Sequence, residues 1–202
     1  MAVTTERIKD LRERTGAGVL DCKKALEEAL GDLERAAAIL REQGLAVAAK
    51  KARRAAREGI IEAYVHPGAK VASLVELNCE TDFVARTAEF KALAHELALQ
   101  VTGARPLYVG IEDVPPEVVE AQRRLYRTEL AAAPRPAAEM ESLIQERLTR
   151  FYQQVVLLEQ PFIRDSGTKI GDLIAQHIAR LGENIVVRRF ARFAIGEEEA
   201  EQ

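Results

Sequence analysis

The spacing of apolar positions changes along the chain, and the changes mark its parts. Over residues 3–44 the period is helical. Ile8 and Leu11 face inward on a first helix that Thr4 or Thr5 caps, and Thr15-Gly16-Ala17-Gly18 breaks it. Val19, Cys22, Leu26 and Leu30 recur at spacings of 3, 4 and 4, which predicts a second helix with these four side chains inward. Gly31 ends that helix, and Asp32 caps a third carrying Leu33, Ala36, Ile39 and Leu40 as far as Gly44. Three short helices in about 40 residues make a small bundle, marginal but feasible as an independent module. The run Lys50-Lys51-Ala52-Arg53-Arg54-Ala55-Ala56-Arg57 follows, helix-favouring and charged, and predicts a solvated linker helix ending at Gly59.

Beyond Gly59 the period becomes two. Residues 60–65 predict a strand, His66-Pro67-Gly68-Ala69 a turn, and residues 70–77 a second strand of the same hairpin. Residues 78–81 form a short break with Thr81 as N-cap, and one long helix is expected from there to about Val101. Pro115-Pro116 opens a helix to about Ala133, and Pro134-Arg135-Pro136 separates it from another through roughly Leu157, giving a helical hairpin. Gln160-Pro161-Phe162 ends the hairpin. A last helix carries Ile170, Leu173, Ile174, His177, Ile178 and Leu181, Gly182 closes it, and residues 185–194 alternate as a final strand. The fold class is therefore α+β: an N-terminal three-helix bundle, then a three-stranded antiparallel sheet packed with helices and a helical hairpin. The expected division is 1–45 as a three-helix domain, 46–59 as the charged linker helix, 60–195 as the α+β core and 196–202 as an acidic tail.

Composition narrows the function. Of the 202 residues, 48% are hydrophobic and 30% charged, enough for a real core and too apolar for a disordered chain. Only 5% are aromatic and Trp is absent, so Leu, Ile, Val and Ala must build that core. The net charge of −3 divides unevenly, with +3 over residues 1–58 and −6 over the rest. Neither part has the basic excess of a dedicated nucleic-acid binder, which favours protein partners and no direct nucleic-acid contact. Apolar runs are too short to cross a bilayer, and the first residues lack the pattern of a secretory signal. Cys22 and Cys79, 57 positions apart, read as reduced thiols, and a cytoplasmic location with no membrane association is expected.

Little of the sequence assembles chemistry. Thr15-Gly16-Ala17-Gly18 resembles part of a phosphate loop, yet neither a following Lys-Ser/Thr pair nor a preceding strand accompanies it, so a tight turn is the better reading. His66, His95 and His177 show no metal-ligand spacing, and no metal or cofactor is expected. Cys79 precedes a helix N-terminus, which lowers a thiol pKa, but no His or carboxylate arrangement supports a nucleophile there. The basic run 50–57 has no aromatic residue for base stacking and sits beside Glu58 and Glu62. One feature stands apart: Asn78-Cys79-Glu80-Thr81-Asp82-Phe83-Val84, where a carboxylate and a large ring open a helix. Asp82 is favourably placed at the helix's positive end. Phe83 precedes Phe90 by seven residues, on the face of Leu97 and Val101, which suits a core ring. The periodicity favours that core reading; the other is a probe projecting from the helix tip, and the pattern does not decide.

Three segments carry a family resemblance. The run Leu11-Arg12-Glu13-Arg14-Thr15-Gly16-Ala17-Gly18-Val19-Leu20-Asp21-Cys22-Lys23-Lys24-Ala25-Leu26 resembles the N-terminal domain of elongation factor Ts. Thr81-Asp82-Phe83-Val84, within residues 76–86, is similar to that family's core motif. Gln160-Pro161-Phe162-Ile163-Arg164-Asp165, with Arg192-Phe193 near the end, is a third match in the family's order. The resemblance implies a guanine nucleotide exchange factor for elongation factor Tu in protein biosynthesis, without covalent chemistry. It assigns Thr81, Asp82, Phe83 and Val84 to dislodging Mg²⁺ from the partner GTPase, with Asp82 and Phe83 entering beside the nucleotide. It makes residues 1–45 a partner-binding domain, in which Val19, Leu20 and Lys23 match the contacts with that GTPase. Longer family members carry two related core modules where this chain has one, which implies a homodimer pairing sheet on sheet near residues 185–193 and makes 60–195 the dimerisation domain. The runner-up is a ribosome- or RNA-associated protein using residues 50–57 and the N-terminal bundle, and a third reading is an enzyme with a thiol site at Cys79.

Overall fold

The computed structural model describes residues 3–131 and 136–197. Met1, Ala2, the Ala132-Ala133 end of the predicted helix, the Pro134-Arg135 part of the predicted breaker and residues 198–202 of the predicted acidic tail lie outside the described residues. Strands β1 (Glu58–Val65), β2 (Val71–Cys79) and β5 (Val186–Ala194) form a three-stranded antiparallel sheet in the order β1-β2-β5. With its helices the chain is α+β, as the alternation of periods predicts. It divides into two compact units, each drawn from three stretches. The first is Met1–Glu62, Glu76–His95 and Asp172–Arg188; the second is Ala63–Val75, Glu96–Gly171 and Arg189–Gln202. The N-terminal helices share a unit with part of the sheet.

In the first unit, helix α1 (Thr5–Thr15) starts at Thr4, whose Oγ1 accepts from the Arg7 N–H at 3.4 Å. Gly16 ends it in the left-handed region at φ 66°, donating its N–H to Arg12 O at 2.7 Å. Helix α2 (Val19–Glu28) and helix α3 (Leu33–Lys51) follow, the latter capped by the Asp32 carboxylate on the Arg35 N–H at 2.9 Å. Their core is Leu11, Cys22, Ala25, Leu26, Ala29 and Ala36. The inner face of α2 is thus turned from the expected one. Val19 and Leu30, predicted inward, are exposed, and Ala25 and Ala29 take the buried places. Leu30 lies past the helix end at φ 53°, so the helical period no longer governs where its side chain points.

Gly44 does not end α3, which runs on to Lys51. The glycine is buried, and a Cβ there would meet only Ala175 O at 3.9 Å and Ala179 Cβ at 4.0 Å, both on α8 (Ile170–Leu181). It is a point of close helix packing. The expected linker helix consequently merges with α3 in its first half and is non-helical from residue 52, until β1 begins at Glu58. Gly59, expected to stop a helix, lies inside β1 at φ 152°, where a Cβ would run into Leu77 O and lie 2.8 Å from Asn78 Cα. Only glycine lets the two strands pair there.

In the second unit the hairpin turn is closed by the His66 N–H donating to Val71 O at 2.9 Å. Helices α6 (Pro116–Leu130) and α7 (Ala137–Val155) pack around Leu130, Ile144 and Leu148, the predicted helical hairpin. A two-stranded ladder, β3 (Pro161–Phe162) with β4 (Asp165–Lys169), was not legible in the sequence. Beside it the buried Gln100 and Gln160 satisfy one another: Gln100 Nε2 donates to Gln160 Oε1 at 3.1 Å, and Gln160 Nε2 to Gln154 O at 3.0 Å. Ser73 on β2 donates to Ala98 O at 2.7 Å, and Arg192 Nε on β5 donates to Thr102 O at 3.1 Å. Both acceptors belong to α5 (Ala88–Ala104), so the next residues, Leu74 and Phe193, point to the opposite face of their strands and are exposed.

Candidate functional site

The strand-to-helix corner at the end of β2 is the site the sequence singles out. Strand β2 buries Val75, Leu77 and Cys79 and stops at Cys79. A four-residue helix, α4 (Asp82–Ala85), follows, and it is not continuous with α5. The expected long helix is therefore two helices. Thr87 separates them: its Oγ1 donates to Val84 O at 2.8 Å and accepts from the Phe90 N–H at 3.2 Å, which makes it the cap of α5. A Thr followed by Ala88-Glu89, with the acid in the first turn, was the signal available.

The break decides where the two rings go. Phe90 is fully buried, whereas Phe83 is 80% exposed. The sevenfold spacing put both on one face only for an unbroken helix. Asp82 opens α4, and its Oδ2 accepts from Arg86 Nη2 at 2.7 Å, one helical turn on. Val84 is half-buried beside them. Thr81 has the backbone of an N-cap, at φ −130° and ψ 154°, yet its side chain does not cap α4. Its hydroxyl donates instead to Glu183 Oε1 at 2.6 Å. The same carboxylate accepts from the Thr81 N–H at 3.0 Å and the Glu80 N–H at 3.1 Å through Oε2. In return the Asn184 N–H donates to Glu80 Oε1 at 2.7 Å. Sequence reasoning passed over Glu183 and Asn184, although an acid and an amide directly after a helix-closing glycine are a turn signature with side-chain acceptors.

The thiol of Cys79 departs from expectation. Burial first, and then the charge of Glu183, push it up to about 11, whereas its place before a helix suggested a lowered value. A four-residue helix carries little dipole to oppose those two causes. Among the described residues no group of three or more His, Cys, Asp and Glu is placed to hold a metal, and no helix is long and apolar enough to cross a membrane.

Val19, Leu20 and Lys23 share the start of α2. Val19 and Leu20 are 53% and 72% exposed, and Lys23 pairs across one turn with Glu27 at 3.8 Å. They form an apolar tip with a cation beside it, in the same unit as residues 81–84.

A family model described as Elongation factor TS matches residues 3–197. The chain belongs to the elongation factor Ts family. Elongation factor Ts of Carboxydothermus hydrogenoformans is 52% identical over 195 residues, which cover 96% of this chain and 90% of that protein. The protein of the same name from Herpetosiphon aurantiacus is 53% identical over 196 residues, covering 97% and 99%. That of Coprothermobacter proteolyticus is 52% identical over 197 residues, covering 98% and 100%. Family membership places the chain among the elongation factors of protein biosynthesis, and the matched segments span nearly all of this chain and of each relative.

Proposed function

We propose that this chain is the guanine nucleotide exchange factor for elongation factor Tu, and that Asp82 and Phe83 do the prying. The observation that carries the reading is the contrast at the corner: Phe83 is 80% exposed at the tip of a four-residue helix, while Phe90 fills the core. An exposed ring of that size at a helix tip is free to be buried in a partner, which would add binding free energy. Phe83 enters between helices of the GTPase, with Thr81 and Val84 flanking it. Asp82 would approach the partner's Mg²⁺ site, where disturbing the ion would weaken the hold on GDP. Val19, Leu20 and Lys23 grip the same GTPase domain. The chain makes and breaks no covalent bond.

The coupling is reciprocal: the factor prefers nucleotide-free elongation factor Tu, and nucleotide weakens the factor by the same amount. Release of fluorescent GDP from purified elongation factor Tu, with and without this chain, tests the reading; an unstimulated release rate refutes it. Binding through the basic run 50–57 is less favoured. Lys51 donates to Gly182 O and Arg54 pairs with Glu80 at 3.5 Å, so two of its cations have internal partners. Exchange that persists at high salt separates an apolar wedge from phosphate binding.

We further propose that two copies pair through the sheet. In the second unit, Ala63, Val65, Leu74 and Phe193 are exposed strand residues, and Leu74 and Phe193 point away from α5. An unpartnered apolar strand face is an interface in search of a cover, and a second copy of the same sheet supplies one.

A further inference from the structure

We propose that Glu183 is a positioning residue for the Phe83 tip, holding the corner that presents the ring; the inference rests on the exchange reading above. A helix as short as α4 has no stability of its own, since nucleation alone fixes more dihedrals than its few hydrogen bonds repay. Its direction must come from its two ends. At the far end Thr87 ties it to α5. At the near end, Glu183 ties it down.

One carboxylate there takes three donors. Glu183 Oε2 accepts from the N–H groups of Glu80 and Thr81 at 3.1 and 3.0 Å, and Oε1 accepts from the Thr81 hydroxyl at 2.6 Å. These backbone donors lie past the last residue of β2 and before α4, where neither ladder nor helix supplies an acceptor. The Thr81 side chain makes no cap to its own helix; its hydroxyl is turned onto Glu183. The clasp is double, because Glu80 Oε1 accepts from the Asn184 N–H at 2.7 Å. Asn184 Nδ2 then donates to Arg54 O at 2.8 Å, and Lys51 donates to Gly182 O. The corner is thus anchored to the turn after α8 and, through it, to the segment leaving α3, all within the first unit. Gly182, left-handed at φ 78°, sets where Glu183 leaves α8. Charge-assisted hydrogen bonds are the strong class, so losing them frees the corner to sample directions in which Phe83 misses its pocket.

The test compares stimulated GDP release by wild type, Glu183→Ala, Glu183→Gln, Phe83→Ala and the double variant Phe83→Ala/Glu183→Ala, titrating each chain to saturation. Glu183→Ala is expected to lower the maximal release rate about tenfold or more. The half-saturating concentration should move less, because Val19, Leu20 and Lys23 are untouched. Glu183→Gln keeps an acceptor in place for the backbone donors and recovers most of the rate. In the Phe83→Ala background, Glu183→Ala should change release by less than about twofold, since a clasp that acts through the ring has nothing left to position. An unchanged maximal rate in Glu183→Ala overturns the proposal, as does an equal fold-loss in both backgrounds. Should Glu183→Ala not fold, Glu183→Asp keeps the charge but retracts it by one methylene. It is measured in the same two backgrounds, where an unchanged rate or an equal fold-loss again overturns the proposal. Wild type that fails to stimulate release sinks the exchange reading itself, a result distinct from any failure of the Glu183 variants.

Discussion

The two phenylalanines seven residues apart give the sharpest test of the corner. Truncating Phe90 to Ala removes a fully buried ring from the core. Such truncations cost about 3–5 kcal/mol, a large part of a domain's total stability. Truncating Phe83 removes a ring that is 80% exposed, and surface changes of that kind stay within about 0.5 kcal/mol. On the proposed mechanism the ring is buried only in the partner, where it contributes about 1.5–3 kcal/mol. That range corresponds to roughly 10- to 150-fold in the coupling between factor and nucleotide. Urea unfolding of both variants gives the stability half of the comparison, and fluorescent GDP release gives the functional half. The expected result is a dissociation of effects: Phe83→Ala unfolds like wild type and exchanges poorly. Phe90→Ala unfolds early, and its surviving folded fraction exchanges normally. A Phe83→Ala chain that loses more than about 2 kcal/mol of stability, or that releases GDP at the wild-type rate, refutes the reasoning.

Four further outcomes follow from other parts of the molecule. Gly59→Ala places a Cβ against Leu77 O at φ 152° and should destabilise the chain by roughly 2 kcal/mol or more, read as a lower urea midpoint. Leu20→Ala, at a residue 72% exposed, should leave stability unchanged and raise the half-saturating concentration for elongation factor Tu by about tenfold. Cys79 is held protonated by burial, so its folded pKa lies above the ordinary 9.0, at about 11. Its contribution to stability is therefore complete below pH 9 and falls away as pH rises towards 11; Cys79→Ala should flatten the stability profile across that window, and an unchanged slope argues against it. Replacing Phe193 by Glu puts a charge on the exposed strand face and should convert a dimer to monomers in sedimentation, whereas a wild-type chain that sediments as a monomer removes the pairing proposal.

Most of the element order was legible because its signals are local. Asp32 and Thr4 cap where their side chains promise, Pro116 opens α6, and Gly182 closes α8. What misled were glycines and apolar spacings whose meaning is tertiary. Gly44 looks like a terminator in sequence, but it lies buried inside α3 with α8 at ordinary contact distance. Gly59 looks like a helix stop until the carbonyl of Leu77 is seen where a Cβ would be. Cys22 and Leu26 kept their inward places on α2, while the flanking Val19 and Leu30 lost theirs to alanines that permit closer contact. At the corner the motif was visible and its geometry was not. The interruption at Thr87 rests on two hydrogen bonds from one hydroxyl, and the clasp joins Glu80 to Asn184 across 104 positions, which no local pattern encodes.

The energetics require more than the ring. Moving a partner from 1:99 to 99:1 in favour of its nucleotide-free form takes about 5.5 kcal/mol of differential binding. Phe83 supplies at most about 3 kcal/mol. The remainder must come from contacts that tighten as nucleotide leaves, and the exposed Val19-Leu20 tip of α2 is an apolar feature of the first unit suited to supply them. Binding energy gained at α2 works against the nucleotide only if the chain between α2 and the corner resists bending. Helix α3 runs unbroken from Leu33 to Lys51, and Lys51 and Arg54 are then tied by hydrogen bonds to the turn that holds Glu80 and Thr81. A flexible linker in that place would let the N-terminal helices bind while the corner drifted. It follows that Asn184→Ala, which touches neither proposed contact surface and frees the Arg54 carbonyl, should lower the maximal exchange rate while leaving the affinity of the N-terminal helices for elongation factor Tu unchanged. An unchanged maximal rate in this variant would show that the two surfaces act independently of that tie.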